Sequence, residues 1–352
     1  MPPDDPDRSS RETPSIARAD PERIAAYVRE LAAARPDAVS QQVPLRNLTT
    51  LRVGGPALGV CRVRTAADAI QFLDYARCRD VPLAILGGGS NVFAQDNGFT
   101  GLILRPEIDE FAVDGDIVTA GAGLALDAVV ARTLDRGLTG LAFASGIPGT
   151  IGGAVVGNAG CFGHEIGEFL VAATLLRADG RLETVGPEAC GFGYRRSELQ
   201  TSADLLLAVR LRLPRADVAA ARRERAERLA ERRRRHPVLE PCAGSWFKNL
   251  PSAAPGGRRR AAGELLDEAG AKSLRVGDAG VFPLHANIVV NLGRATSADV
   301  RALVELMRDA VRRRFGVRLA EEVRTLGPAG FAPPDDPAAA TSANGPFVRP
   351  SG

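Results

Sequence analysis

The stretch VPLAILGGGSN, residues 81–91, followed by GLIL at 101–104, decides how this chain folds. The apolar run VPLAIL predicts a strand, and Gly87, Gly88, Gly89, Ser90 and Asn91 predict a loop directly after it. A dinucleotide fold would continue from such a loop into a helix whose N-terminus holds a pyrophosphate. Here GLIL predicts a further strand with no helix between, so a phosphate at this loop would be held by the loop's own backbone N–H groups. A second glycine pattern, GAGLAL at 121–126, does lie between a strand, DIVTA, and a helix. Its sixth position is Leu126, and no strand ending in Asp or Glu comes about twenty residues on. Neither place supports a Rossmann fold.

Working outward, VCRV from Val60 predicts a strand, and Thr65 with Asp68 three residues later predicts a capped helix with Ala69, Ile70, Leu73 and Ala76 on one face. LLLAVRLRLP closes a β-rich region at Pro214, and ADVAAARRERAERLAERRRRHP predicts a polar helix stopped by Pro237. Its arginines suit nucleic acid, but Glu224 with Arg228 and Glu231 with Arg235 stand at i, i+4, which favours a solvated helix or linker. A last helix starts near Ser297, with Val300, Leu303, Val304, Met307, Ala310, Val311 and Phe315 on one face and Gly316 as its stop. VRLAEEVRTL then reads as a strand with Val317, Leu319 and Val323 on one side and Ala320, Glu322 and Arg324 on the other. Adjacent Glu321 and Glu322 suit a solvent-facing edge.

The 352 residues suffice for two or three domains, and a net charge of +3 is too small to argue for a polyanion partner. Cys61, Cys78, Cys161, Cys190 and Cys242 lack any C-x-x-C pairing and read as reduced thiols of a cytosolic protein. MPPDDPDRSSRETPS is an acidic, proline-rich tail without an apolar segment, and a Pro/Ala-rich tail follows about Pro328. Residues 137–163 carry no charge, but Pro148, Ser145, Thr150, Asn158 and frequent glycines make a poor membrane helix. They suit backbone packed closely against something large and partly polar. In AGSWFKNL, residues 243–250, Ser245 has no histidine nearby except His236, so a Ser-His-Asp hydrolase has little to work with.

LGGGSN (86–91), SGIPGTIGGAVVGNAG (145–160), FGYR (192–195), AGSWFKN (243–249), HANIVVN (285–291) and EEVR (321–324) together resemble the UDP-N-acetylenolpyruvoylglucosamine reductase (MurB) family in order and spacing, over roughly residues 40–327. The segment after NAG resembles the shorter form, which lacks an extra tyrosine-bearing substrate loop. The resemblance implies an α+β, vanillyl-alcohol-oxidase-like (PCMH-type) FAD-binding fold of two subdomains with a C-terminal α+β substrate-binding domain. The expected boundaries are a disordered N-terminal tail or leading helix over 1–38, FAD-binding subdomains over 39–105 and 106–214, a substrate-binding domain over 215–327 and a disordered tail over 328–352.

It further implies that NADPH reduces tightly bound FAD, which then reduces the enolpyruvyl ether of UDP-N-acetylglucosamine to the lactyl ether of UDP-N-acetylmuramate, in peptidoglycan synthesis. FAD is expected at Gly87, Gly88, Gly89, Ser90, Asn91, Ser145, Gly146, Ile147, Pro148, Gly149, Thr150, Gly152, Gly153 and Arg324, and substrate at Tyr194, Lys248, Asn249 and His285. Hydride addition at C3 leaves negative charge spread from C2 onto the carboxylate, which needs cationic or hydrogen-bonding stabilisation. Arg195 and Glu322 match the family residues suited to that task, and Ser245 matches the serine that protonates C2 as a general acid. Lys248 suits support of the serine oxygen or binding of substrate phosphate and sugar, and His285 a substrate contact or a structural histidine. No metal is expected; the protein is expected to be a cytoplasmic monomer, with no nucleic acid and no membrane. An FAD-linked oxidase of the same fold, or a basic nucleic-acid-binding protein using the arginine helix and GGRRR at 256–260, stand as alternatives. Trp246, Leu250, Ala320-Glu321 and Cys161-Phe162 depart from the usual pattern, and Glu321 beside Glu322 leaves open which carboxylate points inward; strand alternation and the EVR match select Glu322.

Overall fold

The structure is a computed structural model that describes residues 20–252 and 259–335. Thr65 accepts from the Asp68 N–H while Asp68 accepts from the Thr65 N–H, so the helix Ala66–Arg77 starts with the expected capping box. It buries Ala69, Phe72, Leu73 and Ala76 against a sheet ordered Val39–Pro44, Pro56–Val63, Phe99–Pro106, Leu83–Ile85. The last three strands are parallel and the first is antiparallel to its neighbour. Within residues 1–38, Pro21–Ala34 is a helix whose Ile24, Val28 and Leu31 join this core. The tail expected at the start of the chain lies outside the described residues.

A second sheet is antiparallel throughout, ordered Leu182–Val185, Leu170–Leu176, Leu205–Arg212, Ile117–Gly121, Phe111–Asp114. The helices Leu126–Asp135 and Ile151–Val156 supply its core with Leu126, Val129, Val130, Ile151 and Val155. The uncharged segment 137–163 therefore becomes turns and a short helix, and among the described residues no helix is long and apolar enough to cross a membrane. A third sheet, Cys242–Ser245, Ile288–Asn291, Ala279–Val281, Arg275–Val276, is covered by Ala262–Glu268 and Ser297–Phe315. The last helix buries Val300, Leu303, Val304, Met307 and Val311, and Gly316 ends it at φ 66°.

Several expectations need correction. Val92–Ala94 is a short strand, too brief to show alternation, and it pairs in parallel with Arg324–Gly327. The strand expected from Val317 starts only at Arg324, because the preceding residues are tied to Trp246–Lys248: Lys248 N donates to Ala320 O at 2.8 Å and Glu322 N to Trp246 O at 2.8 Å. The two carboxylates do not face solvent; the side chains of Glu321 and Glu322 are 11% and 18% exposed. Ordered chain runs beyond residue 328, since Gly330–Phe331 pairs back onto Leu326 and Gly327 and Arg318 holds Asp335 at 3.1 Å. Residues 336–352 of the expected tail lie outside the described residues.

The arginine helix, Val218–Arg235, has the expected Glu224–Arg228 and Glu231–Arg235 pairs, at 3.5 and 3.7 Å. It is not wholly solvated. Arg225 pairs with Asp127 at 2.8 Å and Arg232 Nε donates to Ser145 O at 3.3 Å, because long arginine stems cover apolar surface while their heads reach polar atoms. Of the GGRRR run, residues 256–258 lie outside the described residues, whereas Arg259 stacks on Tyr194 at 3.9 Å.

Gly89 and Gly115 share a left-handed backbone, φ 63° and 61°, but a Cβ on Gly89 would stand 2.1 Å from Leu48 O while one on Gly115 would meet nothing within 4 Å. Urea unfolding should show Gly89→Ala costing about 2 kcal/mol more than Gly115→Ala, the difference being the clash alone. Equal costs would mean that the glycine loop does not approach Leu48 this closely.

Candidate active site

The two glycine segments meet because neither carries side chains where their backbones touch. A Cβ on Gly88 would lie 2.8 Å from Gly149 Cα, one on Gly87 would lie 2.8 Å from Thr150 Oγ1, and Ser90 Oγ donates to Pro148 O at 2.9 Å. Gly152 leaves room for Ala122, and Thr150 accepts from Gly153 N at 3.2 Å, fixing the turn into Ile151–Val156. The backbone N–H groups of Gly87 through Asn91, and those of Gly149 and Thr150, donate to no other described residue. Such an array of free N–H groups on facing loops suits a pyrophosphate. Ser145 is 1% exposed and its Oγ has no hydrogen-bond partner among the described residues, which is costly unless a ligand atom completes it. Bare backbone, unused donors and an orphaned hydroxyl fit FAD along Gly87–Asn91 and Ser145–Gly153.

The chain passes from this loop directly to the carboxylates. Asn91 Nδ2 donates to Glu322 O at 3.2 Å, and Arg324 N donates to Asn91 O at 3.0 Å. Arg195 reaches the same point from the second sheet's side, its Nε standing 2.9 Å from Glu322 Oε1. This is an ion pair by distance, out of line for a hydrogen bond from Nε–H, which remains unpartnered. Arg195 has φ 55°, a conformation rare outside glycine and often found where a side chain must be aimed. Asn158 Nδ2 supports that turn by donating to Gly193 O at 2.9 Å, and Gln200 Nε2 donates to Arg195 O at 3.2 Å. Gly193-Tyr194-Arg195 is therefore more than a surface turn.

Ser245 ends the strand Cys242–Ser245, opposite Ile288, and its hydroxyl has no partner among the described residues. The residue after it is fixed twice: Trp246 N donates to Asn287 O at 2.7 Å and Trp246 O accepts from Glu322 N. Asn287 also clamps Phe247, accepting from its N at 2.9 Å and donating to its O at 2.8 Å. Lys248 Nζ donates to Asp335 O at 2.9 Å, Asn249 N donates to Tyr194 OH at 3.4 Å, and Asn249 Oδ1 accepts from Ala262 N. Arg195, Lys248, Glu322 and Arg324 line a cavity of about 510 Å³ with Arg301, Arg308, Arg318, Glu321 and Asp335. Its cationic excess suits an anionic ligand.

Burial pushes the Glu322 carboxyl above the usual range, opposed by the charges of Arg195 and Lys248. Burial raises the Tyr194 phenol, helped by the Glu322 charge, and lowers Arg324, whose Nη1 donates to Gln200 O at 3.2 Å. The structure thus brings together Arg195, Glu322, Tyr194, Lys248, Asn249 and Arg324, with Ser245 on the adjoining strand. The ring of His285 lies 5.3 Å from that of His236, and its Nδ1 accepts from Asn287 N at 3.3 Å. Sequence reasoning missed Asn158, Asn287 and the Arg301–Arg308 pair. The spacing of Arg301 and Arg308 on one helix face and the buried asparagines in quoted motifs were the available signals.

Known families match both parts of the chain. The family described as "FAD binding domain" matches residues 57–186, and "UDP-N-acetylenolpyruvoylglucosamine reductase, C-terminal domain" matches residues 236–326. Fold and matches define a flavoprotein oxidoreductase with a PCMH-type FAD-binding fold. UDP-N-acetylenolpyruvoylglucosamine reductase 2 of Symbiobacterium thermophilum is 39% identical over 89% of this chain and 98% of its own. The Bacillus subtilis enzyme is 34% identical over 81% of this chain and 92% of its own. The crystal structure of the Thermus caldophilus reductase superposes with a TM-score of 0.68 at 35% identity, covering 80% of this chain and 97% of that one. The chain belongs to the UDP-N-acetylenolpyruvoylglucosamine reductase family.

Two predictions follow from buried polar groups. Ser145→Ala should leave the FAD-free protein as stable or slightly more so, since it removes an orphaned hydroxyl, yet weaken FAD retention about fivefold in equilibrium dialysis. Unchanged retention would show that the hydroxyl does not meet the cofactor. Burial, then the charges of Arg232, His285 and Arg235, push His236 down to about 4. The unfolded imidazole takes its proton near pH 6.5, so stability is full above that pH and is lost as pH falls through about 4. Thermal unfolding of wild type and His236→Gln between pH 7 and 4 should diverge, with the variant losing less.

Proposed function

We propose that this chain reduces UDP-N-acetylglucosamine enolpyruvate to UDP-N-acetylmuramate, a step of peptidoglycan precursor synthesis, with NADPH as electron donor. The observation that carries the reading is the strained Arg195 aimed at Glu322 in a cationic cavity, with Ser245 preceding Trp246, whose backbone O accepts from Glu322 N. Gly87–Asn91 and Ser145–Gly153 would hold FAD, which when bound would supply the hydride chemistry, taking it from NADPH for C3 of the enolpyruvyl group.

The protein's residues handle the charge that results. As C3 gains hydride, negative charge spreads from C2 onto the substrate carboxylate, and Arg195 offers a permanently charged fork to it. Glu322, raised above the usual carboxyl range by burial, helps to stabilise the same charge where it is protonated or hydrogen-bonded to the intermediate. Ser245 gives its proton to C2, and Lys248 steadies the serine oxygen or holds substrate phosphate with Tyr194 and Asn249. Arg324, two residues after Glu322 at the start of the strand Arg324–Gly327, would contact the cofactor. His285 orders the Phe282–Asn287 turn through its contact with Asn287 and acts as a structural histidine.

The boundaries 39–105, 106–214 and 215–327 divide the chain into two FAD-binding subdomains and a substrate domain. The protein works as a cytoplasmic monomer without nucleic acid. Pairing of Arg222, Arg225 and Arg228 with Asp135, Asp127 and Glu224 supports that last point by leaving less free charge for phosphates.

Ser245→Ala should leave flavin reduction by NADPH at the wild-type rate and slow reoxidation by substrate by about 10²- to 10⁴-fold in anaerobic stopped flow. Wild-type reoxidation would remove Ser245 as the proton donor.

A further inference from the structure

Glu321, which the sequence left as a rival to Glu322, is bound on every side. Arg301 Nη1 donates to its Oε1 at 2.7 Å, Arg308 Nη2 donates to the same oxygen, and the Trp246 indole N–H donates to Oε2 at 3.3 Å. Its backbone N–H donates to Asp335 Oδ2 at 3.0 Å. The two arginines are themselves anchored, Arg301 to Thr325 Oγ1 at 3.0 Å and Arg308 to both oxygens of Glu305 at 2.8 and 2.9 Å. Trp246 is fully buried against Phe93, with ring centroids 5.6 Å apart. Arg301, Arg308 and Glu321 line the same cavity as Arg195 without taking a part in the chemistry above, and all converge on the residue before Glu322.

We propose that Glu321 is a positioning residue: the Arg301–Arg308–Trp246 cluster holds its carboxylate on one side of the chain, so the extended backbone must present Glu322 on the other, toward Arg195. Glu321 stands opposite Phe247 in an isolated antiparallel bridge, flanked by the Lys248 N–Ala320 O and Glu322 N–Trp246 O bonds, and successive residues of such a bridge point to opposite faces, so fixing one side chain fixes the direction of the next. The same cluster reaches the serine. The Trp246 indole is held by Glu321 while its backbone holds Asn287 and Glu322, so Ser245 and Glu322 share one rigid frame.

This inference rests on the catalytic reading of Glu322, and the test separates the two. Glu321→Gln keeps the size and removes the charge that orders Arg301 and Arg308. Glu321→Gln, Glu322→Gln and the double variant of the FAD-loaded protein would be compared by anaerobic stopped flow with NADPH and then with UDP-N-acetylglucosamine enolpyruvate. The expected result is a loss of about 10- to 100-fold in substrate-driven reoxidation for Glu321→Gln, with flavin reduction by NADPH unchanged, as misplacement of a reacting group commonly produces. In the Glu322→Gln background Glu321→Gln should add nothing further, because it acts through Glu322. Wild-type reoxidation in Glu321→Gln, or losses that multiply in the double variant, would overturn the proposal. A silent Glu322→Gln beside a slow Glu321→Gln would overturn it differently, by giving the carboxylate role to Glu321 itself. Should Glu321→Gln fail to fold, Trp246→Phe, which removes only the indole donor, reads the same coupling against Glu322→Gln with the same two outcomes.

Discussion

The ion pair between Arg195 and Glu322 is the interaction on which the site depends, because it joins a turn beside the second sheet to the segment that returns from the third. Pairs of this kind contribute little to net stability, since desolvation offsets most of the attraction, while removal of one partner leaves a charge stranded. Its value is geometric. Arg195 adopts a left-handed backbone that a non-glycine residue avoids, and Asn158 and Gln200 hold it there. A substrate carboxylate arriving at this point would meet a guanidinium already aimed and partly stripped of water, which makes its field stronger than at an open surface.

The second constraint is close backbone contact. LGGGSN and SGIPGT can touch only because their facing positions are glycines, and the touching loops are left with N–H groups that no other described residue accepts from. The parallel pairing of Val92–Ala94 with Arg324–Gly327 continues that contact into the carboxylate segment. Cofactor loop and Glu322 are therefore two ends of one hydrogen-bonded path, from Asn91 to Glu322 O, and the substrate side cannot shift without pulling on the cofactor side.

Local signals were legible and distant ones were not. Thr65 with Asp68, the face from Val300 to Val311 and the stop at Gly316 are set by contacts within one or two turns, so the residues declare them. The absence of a helix after LGGGSN was also readable, and it excluded the dinucleotide fold. Val92–Ala94 escaped because a strand of three buried residues has no alternation to show. The segment from Val317 was misread as continuous strand because its bonds go to Trp246–Lys248, about seventy residues back, and pattern within the segment carries no trace of them. The family resemblance singled out Arg195, Ser245 and Glu322 together, but the gathering of Arg301, Arg308 and Asp335 around Glu321 is seen only in three dimensions.

The most direct test of the account is the visible spectrum of the purified protein under anaerobic conditions, recorded before and after NADPH and again after UDP-N-acetylglucosamine enolpyruvate. The account predicts a flavin band that NADPH bleaches and the enolpyruvyl substrate restores. A reduced protein whose band returns with oxygen but not with that substrate would contradict it and favour an oxidase of the same fold, and a colourless protein that FAD cannot reconstitute would contradict the cofactor assignment itself.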